Sequence, residues 1–242
     1  MNILLTGATS GIGFETLKQL IKNGDTVFAI GRDFSKINFF ISENKNKIKA
    51  FVYDFRNVQD IEKLFLKFEM DNEKFDALIH CAGIEETVPL TLYSPNRIKD
   101  IYDINVFSGI ELLRLFTKKK YSNDGGSVVF LSSVMGILGQ PGKVGYCSSK
   151  AAVLGIVKAS ALEFAKRKIR INAVLPGVVN TPMTQNLFNQ TSTDNNNRIM
   201  NMHPLGIGDV GDIVPTILFL ISNGSRWITG QNIVIDGGYS IQ

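Results

Sequence analysis

Thr6-Gly7-Ala8-Thr9-Ser10-Gly11-Ile12-Gly13 follows the apolar run at 3–5 directly and opens an amphipathic segment over 12–22. A short apolar strand, a glycine turn and a helix in that order are the first half of a βαβ unit. Glycines at 7, 11 and 13 let the backbone turn tightly and approach an anionic pyrophosphate, whose charge the helix N-terminus stabilises. The spacing is G-x-x-x-G-x-G, not the general G-x-G-x-x-G fingerprint. Glycine-rich turns also serve purely structural ends, so the loop needs support from the rest of the chain.

That support comes from the rhythm on either side. Val- and Ile-rich strand candidates at 3–5, 26–30, 48–53, 77–80, 127–131, 170–174 and 232–235 alternate with helix candidates at 12–22, 34–44, 58–68, 99–116, 146–166 and 209–221. Repeated βαβ units of this kind predict an α/β fold, a single doubly wound, Rossmann-type domain over residues 1–242 with a seven-stranded parallel sheet flanked by helices. The alternation leaves no linker for a second domain. One segment breaks it: 182–204 carries Asn186, Asn189 and Ser192-Thr193-Asp194-Asn195-Asn196-Asn197. A long polar excursion inside a compact domain is either a functional lid or a disordered surface loop, and its position favours a substrate lid.

The second strand ends at Ile30-Gly31-Arg32, where an acid would grip a ribose 2′-hydroxyl. Arg32 instead offers a guanidinium for a 2′-phosphate, which favours NADP(H) over NAD(H). The competing reading is a solvent-facing arginine neutralised by Asp33.

Composition narrows the class. The 242 residues are 44% hydrophobic and 20% charged, the balance of a soluble globular chain. No apolar run reaches the roughly 20 residues of a membrane span, and the chain enters its glycine loop too early for a secretory leader, so the expected location is the cytoplasm. Cys81 and Cys147 lack metal or redox spacing and read as reduced thiols. The net charge of +4 is spread among acids without a nucleic-acid motif. His80 and His203 are solitary, so they read as structural histidines and no metal site is expected. Phenylalanines such as Phe65 and Phe68 read as core.

Further along, Tyr146-Cys147-Ser148-Ser149-Lys150 follows Ser133 by thirteen residues, with Asn105 in Asp103-Ile104-Asn105-Val106 upstream and Asn172, Pro176-Gly177, Thr181-Pro182-Met183 and Asp236-Gly237-Gly238 downstream. With the glycine loop, these motifs resemble the short-chain dehydrogenase/reductase family over nearly the whole chain, and most of all its bacterial 3-oxoacyl-acyl-carrier-protein reductases. The family's Asn-Asn-Ala-Gly reads His80-Cys81-Ala82-Gly83 here, so other hydrogen bonds must hold the central loop.

The resemblance implies an NADPH-dependent carbonyl reductase with a catalytic set of Asn105, Ser133, Tyr146 and Lys150. It also implies cofactor contacts from Thr6, Gly7, Ser10, Gly11, Ile12, Gly13, Arg32, Asp54, Ala82, Gly83, Tyr146, Lys150, Val179 and Thr181. Asp54 is expected at the adenine and Val179 and Thr181 at the nicotinamide amide, although Asp54 and Thr181 also suit turn and helix caps. Tyr146 and Lys150 lie four apart and share a helix face, so the lysine is expected to lower the tyrosine pKa. Tyr146 then donates the proton, Ser133 polarises the carbonyl, and Asn105 helps place a water or bends its helix. The substrate is a small-molecule or carrier-linked carbonyl compound: a 3-oxoacyl thioester, under a lid of Met183, Leu187, Phe188, Met200 and Met202, or a ketosugar held by Gln140, Gln185, Asn186 and Asn189. Basic residues at 118–120 and at Arg167, Lys168 and Arg170 either offset helix dipoles or dock an acidic carrier. A homodimer or homotetramer is implied through the helices at 99–116 and 146–166. A dinucleotide-binding regulator without turnover is the reading from another class.

Overall fold

Strands β1 (Asn2–Thr6), β2 (Thr26–Gly31), β3 (Ile48–Val52), β4 (Phe75–His80), β5 (Ser122–Leu131), β6 (Arg170–Pro176) and β7 (Asn232–Ile235) pair in the order β3-β2-β1-β4-β5-β6-β7. Every pairing is parallel. This is the seven-stranded doubly wound sheet expected from the sequence. The computed structural model describes residues 1–68, 74–189 and 192–241. Its helices are α1 (Gly11–Lys22), α2 (Asn38–Glu43), α3 (Ile61–Leu66), α4 (Pro95–Tyr102), α5 (Ser108–Phe116), α6 (Val144–Glu163), α7 (Pro182–Asn189), α8 (Thr193–Asn201) and α9 (Val210–Ile221).

Strand alternation sorts the core into two layers. Ile3 and Leu5 of β1 pack with Leu17 and Leu20 of α1 and with Ile213, Ile217 and Leu220 of α9. Leu4, pointing the other way, joins Phe65, Leu112, Phe116, Val153 and Val157 of α3, α5 and α6. Phe65 and Phe68 are buried there as expected, in a cluster where Phe28 and Phe75 meet edge to face with centroids 5.0 Å apart. The winding direction reverses between β1 and β4, and the crevice beyond the carboxyl ends of strands at such a switch point is where α/β sheets bind ligands.

Three local outcomes differ from the sequence reading. The helix expected over 99–116 is interrupted by a π-helical turn, Asp103–Phe107, with the Ser108 N–H bonded five residues back to Asp103. The helix expected over 58–68 is regular only at α3, after a single 3-10 turn. The segment 182–204 is not an irregular loop: α7 and α8 occupy most of its described part.

Candidate active site

The glycine loop is shaped by close approach. Gly7 has φ +67°, and a Cβ on it would lie 2.8 Å from the Ala82 nitrogen. A Cβ on Gly13 would lie 2.1 Å from the Gly7 carbonyl oxygen, so only glycine allows α1 to start this close to the turn. Ser10 is the N-cap of α1 but makes no side-chain capping bond, and the first turn carries no acid. The free N–H groups and the positive helix end are thus left to a negative ligand. Gly7, Ser10, Gly11, Ile12, Gly13, Arg32, Asp54, Ala82, Gly83 and Thr181 line one trough. These residues fit a dinucleotide, because glycine at 7 and 13 lets the turn pack tightly on the loop after β4 and leaves the N-terminus of α1 open to a pyrophosphate.

Asp33 is committed to Ser35, accepting from its N–H at 2.8 Å and its hydroxyl at 2.9 Å, so it does not neutralise Arg32. Arg32 is exposed at the rim and has no ion pair among the described residues. Asp54 lies on the wall, where its carboxylate accepts from the Arg56 backbone N–H at 3.0 Å and guanidinium at 2.9 Å. Burial works against the charge of Asp54, but Arg56 outweighs it and holds the carboxyl below the usual range. Thr181 caps α7 through the Thr184 N–H at 3.3 Å while still lining the trough. The cap and cofactor positions of Thr181 therefore coincide.

Thr6 does not line the trough but fastens it. Its hydroxyl accepts from the Ala82 N–H at 3.1 Å and sits 2.9 Å from His80 Nδ1. The Ser108 hydroxyl spends its one proton on the Ile104 carbonyl and so accepts from His80, which puts the ring proton on Nε2 and makes Nδ1 the acceptor of the Thr6 hydroxyl. The Nε2–H then faces the Ser108 hydroxyl at 3.5 Å, which donates to the Ile104 carbonyl at 2.7 Å. His80 thus substitutes for the family's asparagine with a chain of bonds from β1 to the π-helical turn. Burial, with some help from the charge of Lys150, pushes the His80 pKa down to about 3. A histidine free in the unfolded chain titrates near 6.5, so the unfolded state binds the extra proton between pH 6.5 and 3. Stability contributed by neutral His80 is complete above that window and falls as pH drops through it. Urea titration should therefore find wild type about 2 kcal/mol less stable at pH 5 than at pH 7 from this group alone. His80→Asn should lose most of that difference; an unchanged slope in the variant would place the acid sensitivity elsewhere.

A second cavity adjoins the trough and shares Ile12, Cys81, Gly83, Thr181 and Met183 with it. Ser133, Tyr146 and Lys150 converge on it, and Val179 lines it. Ser133 stands just past β5 in extended backbone, and its Oγ accepts from the Met135 N–H at 3.1 Å, leaving its own proton to donate. Tyr146 and Lys150 come from the first turns of α6, with Lys150 Nζ 5.7 Å from the tyrosine ring centroid and 2.8 Å from the Leu131 carbonyl. Asn105 is buried in the π-helical turn. Its amide donates to the Ile84 carbonyl at 2.9 Å and Ser149 Oγ at 3.0 Å, and its Oδ1 accepts from the Ile84 N–H at 2.9 Å. Asn105 Oδ1 and Lys150 Nζ both border Gly83. The four residues expected to act together are therefore brought together, with Asn105 behind Lys150.

The expected lowering of the tyrosine pKa is not found. Burial raises Tyr146 to about 12, with the Glu85 carboxylate adding to the rise and the Ser133 hydroxyl opposing it. Burial also pushes Lys150 down to about 8. The ammonium is held by Leu131 and is itself desolvated, which limits the help it gives to a phenolate.

Glu85, Lys143, Ile199 and Tyr239 also line this cavity and were not expected from the sequence. Lys143 is the N-cap of α6, three residues before Tyr146. Of the expected lid residues Met183 and Leu187 reach the cavity wall; Phe188, Met200 and Met202 do not line it. Among the polar candidates Gln140 lines it, and Asn186 lines only the outer vestibule. His203 is a satisfied structural histidine: Nε2 accepts from the Val178 N–H at 3.2 Å, Nδ1 meets the Ile199 carbonyl at 2.8 Å, and the ring stacks on Tyr239 at 4.6 Å.

The basic clusters lie at the wrong end for carrier docking into this cavity. Residues 118–120 precede β5, and Arg167 and Lys168 precede β6, at the amino ends of the strands. The cavity opens at the carboxyl ends, roughly 20 Å away along the six residues of β4, which pairs with β5. Arg167 is also occupied, donating to Asp124 at 2.7 Å and to the Ser122 carbonyl at 2.9 Å. Arg170 is buried against the Leu220 and Ser222 carbonyls and Ser225 Oγ. Both cysteines are free thiols, and among the described residues no helix is long and apolar enough to cross a membrane.

This combination of sheet, glycine trough and adjoining polar cavity defines a dinucleotide-dependent oxidoreductase. Residues 7–240 match the family model described as enoyl-(acyl carrier protein) reductase, and the chain belongs to the short-chain dehydrogenase/reductase family. It is 34% identical over 244 residues to the 3-oxoacyl-[acyl-carrier-protein] reductase FabG of Thermotoga maritima, covering 98% of this chain and 97% of that one. Among solved structures it resembles a mutant 4-hydroxyisoleucine dehydrogenase complexed with NADH and succinate, at 31% identity and a TM-score of 0.90 over 100% and 99% of the two chains. ElxO with NADP bound is similar at 28% identity and a TM-score of 0.86 over 100% and 99% of the two chains.

Proposed function

We propose that this chain is an NADPH-dependent carbonyl reductase that converts a ketone to a secondary alcohol, with a 3-oxoacyl thioester as substrate. The observation that carries this reading is the convergence of Ser133, Tyr146 and Lys150 on a cavity continuous with the glycine trough. The bound dinucleotide supplies the hydride. Ser133, its Oγ already fixed by Met135, donates to the carbonyl oxygen and stabilises the charge that grows there. Tyr146, kept protonated at neutral pH by its raised pKa, gives its proton to that oxygen. Lys150 holds a positive charge behind the phenol and orients the nicotinamide ribose. Asn105 is a positioning residue that clamps the loop at Ile84 and so keeps Gly83 and Lys150 in place. Arg32 holds the 2′-phosphate, and Ala82, Val179 and Thr181 support the remaining dinucleotide contacts.

The thioester reading is supported by the reductase name of the Thermotoga relative and by apolar cover from Met183, Leu187 and Ile199, with the segment 182–204 as the lid. A small polar alcohol or ketosugar is the second reading, favoured by Gln140, Lys143 and Glu85 on the same wall. A non-catalytic regulator is disfavoured by the assembled proton donor. Phe107 and Ile110 near the start of α5 and Leu162 on α6 are exposed apolar side chains that suit a homodimer or homotetramer.

Purified protein with NADPH should reduce an acetoacetyl thioester faster than a ketosugar or a plain ketone; turnover of the ketosugar alone would reject the thioester and keep the reductase. Arg32→Ala should weaken NADPH binding by about ten- to hundredfold, the worth of a charge-assisted bond of roughly 1.5–3 kcal/mol, and leave NADH nearly unaffected. Equal losses for both cofactors in a fluorescence titration would remove the phosphate role.

A further inference from the structure

Lys143 and Glu85 form a buried ion pair on the wall of the reacting cavity, and neither has a part in the proton-transfer scheme above. Their side chains are only 5% and 12% exposed. Glu85 Oε1 accepts from Lys143 Nζ, and from the Thr87 hydroxyl at 2.9 Å, which fixes the carboxylate on the loop after β4. Lys143 Nζ stands 5.6 Å from the Tyr146 ring centroid, as Lys150 does at 5.7 Å, so two ammonium groups flank the proton donor.

An ammonium has three N–H donors. Among the described residues Glu85 is the one hydrogen-bonded acceptor of Lys143. The Tyr146 ring attracts the charge but satisfies no N–H directionally. Buried charge is costly unless its hydrogen bonds are completed. Arg170 shows the completed case, with three protein acceptors. Lys143 keeps donor capacity on the wall of a cavity whose other donors serve the reacting oxygen. It is the N-cap of α6, three residues before Tyr146, and its Nζ lies 5.6 Å from the Tyr146 ring centroid. A substrate with a second oxygen on the carbon two positions from the reacting carbonyl spans such a gap.

We propose that Lys143 donates to this second oxygen and selects 3-oxoacyl compounds over ketones that lack it, with Glu85 neutralising the ammonium so that an uncharged thioester oxygen is preferred to a carboxylate. The inference rests on the reductase reading and assigns the substrate contact within it.

The test compares kcat/KM with NADPH for acetoacetyl-N-acetylcysteamine, acetoacetate and 2-pentanone in wild type, Lys143→Met, Lys143→Arg and Glu85→Gln. Lys143→Met should lower the thioester-to-pentanone ratio about ten- to hundredfold, chiefly through KM, and Lys143→Arg should restore part of it. Glu85→Gln should raise the acetoacetate-to-thioester ratio about tenfold or more, with added salt reducing the gain. An unchanged thioester-to-pentanone ratio in Lys143→Met, or a wild type that prefers 2-pentanone, would overturn the assignment. If Lys143→Met fails to fold, Lys143→Leu takes its place under the same criteria, and the ratio of Glu85→Gln is read as before. Should wild type reduce none of the three, the thioester reading falls, and turnover of a ketosugar decides the reductase reading. Calorimetric titration of the NADP-loaded protein with 3-hydroxybutyryl-N-acetylcysteamine then decides the Lys143 contact, which is rejected if Lys143→Met, or Lys143→Leu in its place, binds as wild type does.

Discussion

Tyr146→Phe is expected to lower turnover at least about a hundredfold while leaving NADPH affinity within about twofold. The substitution removes one oxygen and keeps the ring, so the wall between Lys143 and Lys150 retains its shape. What disappears is the proton source for the developing alkoxide. No neighbour replaces it easily: the Ser133 hydroxyl can donate a hydrogen bond but is too weak an acid to surrender its proton, and Lys150 donates to the Leu131 carbonyl. The raised pKa of Tyr146, about 12, keeps the wild-type phenol protonated throughout the neutral range. Single-turnover absorbance at 340 nm with the cofactor saturating separates the two effects. Near wild-type turnover in the variant would end the proton-donor assignment, and a parallel loss of NADPH binding would mean that the ring and not the proton had been tested.

The second large effect belongs to Gly13→Ala. The new methyl would lie 2.1 Å from the Gly7 carbonyl oxygen, 2.8 Å from its carbon and 3.3 Å from Cys81 Cβ. Backbone cannot rotate away as a flexible side chain does, so either the glycine turn or the start of α1 must move. Overpacking of this kind costs about 1–3 kcal/mol, which lowers the melting temperature by roughly 2–12 °C in a chain of this size. The displaced helix end is also the anion site, so NADPH affinity should fall at least about a hundredfold, beyond what the stability loss explains. Gly155→Ala is the control, because a Cβ there meets nothing within 4 Å and alanine is the better helix former. A Gly13→Ala protein that bound NADPH normally would show that the turn does not cradle the dinucleotide.

Legibility from sequence followed the distance between the residues involved. The Gly7–Gly13 turn and the Tyr146–Lys150 spacing are local patterns, and strand alternation at Ile3, Leu4 and Leu5 already divides the two core layers. The Lys143–Glu85 pair was invisible because 58 residues separate its partners and only the β4-to-α6 arrangement joins them. At Asn105 the sequence offered a helix bend as one of two roles but not its form, a π-helical turn whose asparagine bonds to the distant Ile84 backbone and Ser149. The wrong direction for the Tyr146 pKa came from weighing one neighbour's charge without the burial that outweighs it. The basic clusters misled because charge in a sequence has no face, and only the strand direction shows that Arg167 and the lysines at 118–120 sit opposite the cavity.

His203 bears on how the cavity exchanges its contents. One imidazole holds the Val178 N–H at the end of β6, the Ile199 carbonyl of α8 and the face of Tyr239, and Ile199 and Tyr239 both line the cavity. Lifting α8 therefore either drags Tyr239 along or breaks its stacking. One imidazole thus ties together two walls of the cavity that lie far apart in the chain, so a shift of either must be matched by the other or break these contacts.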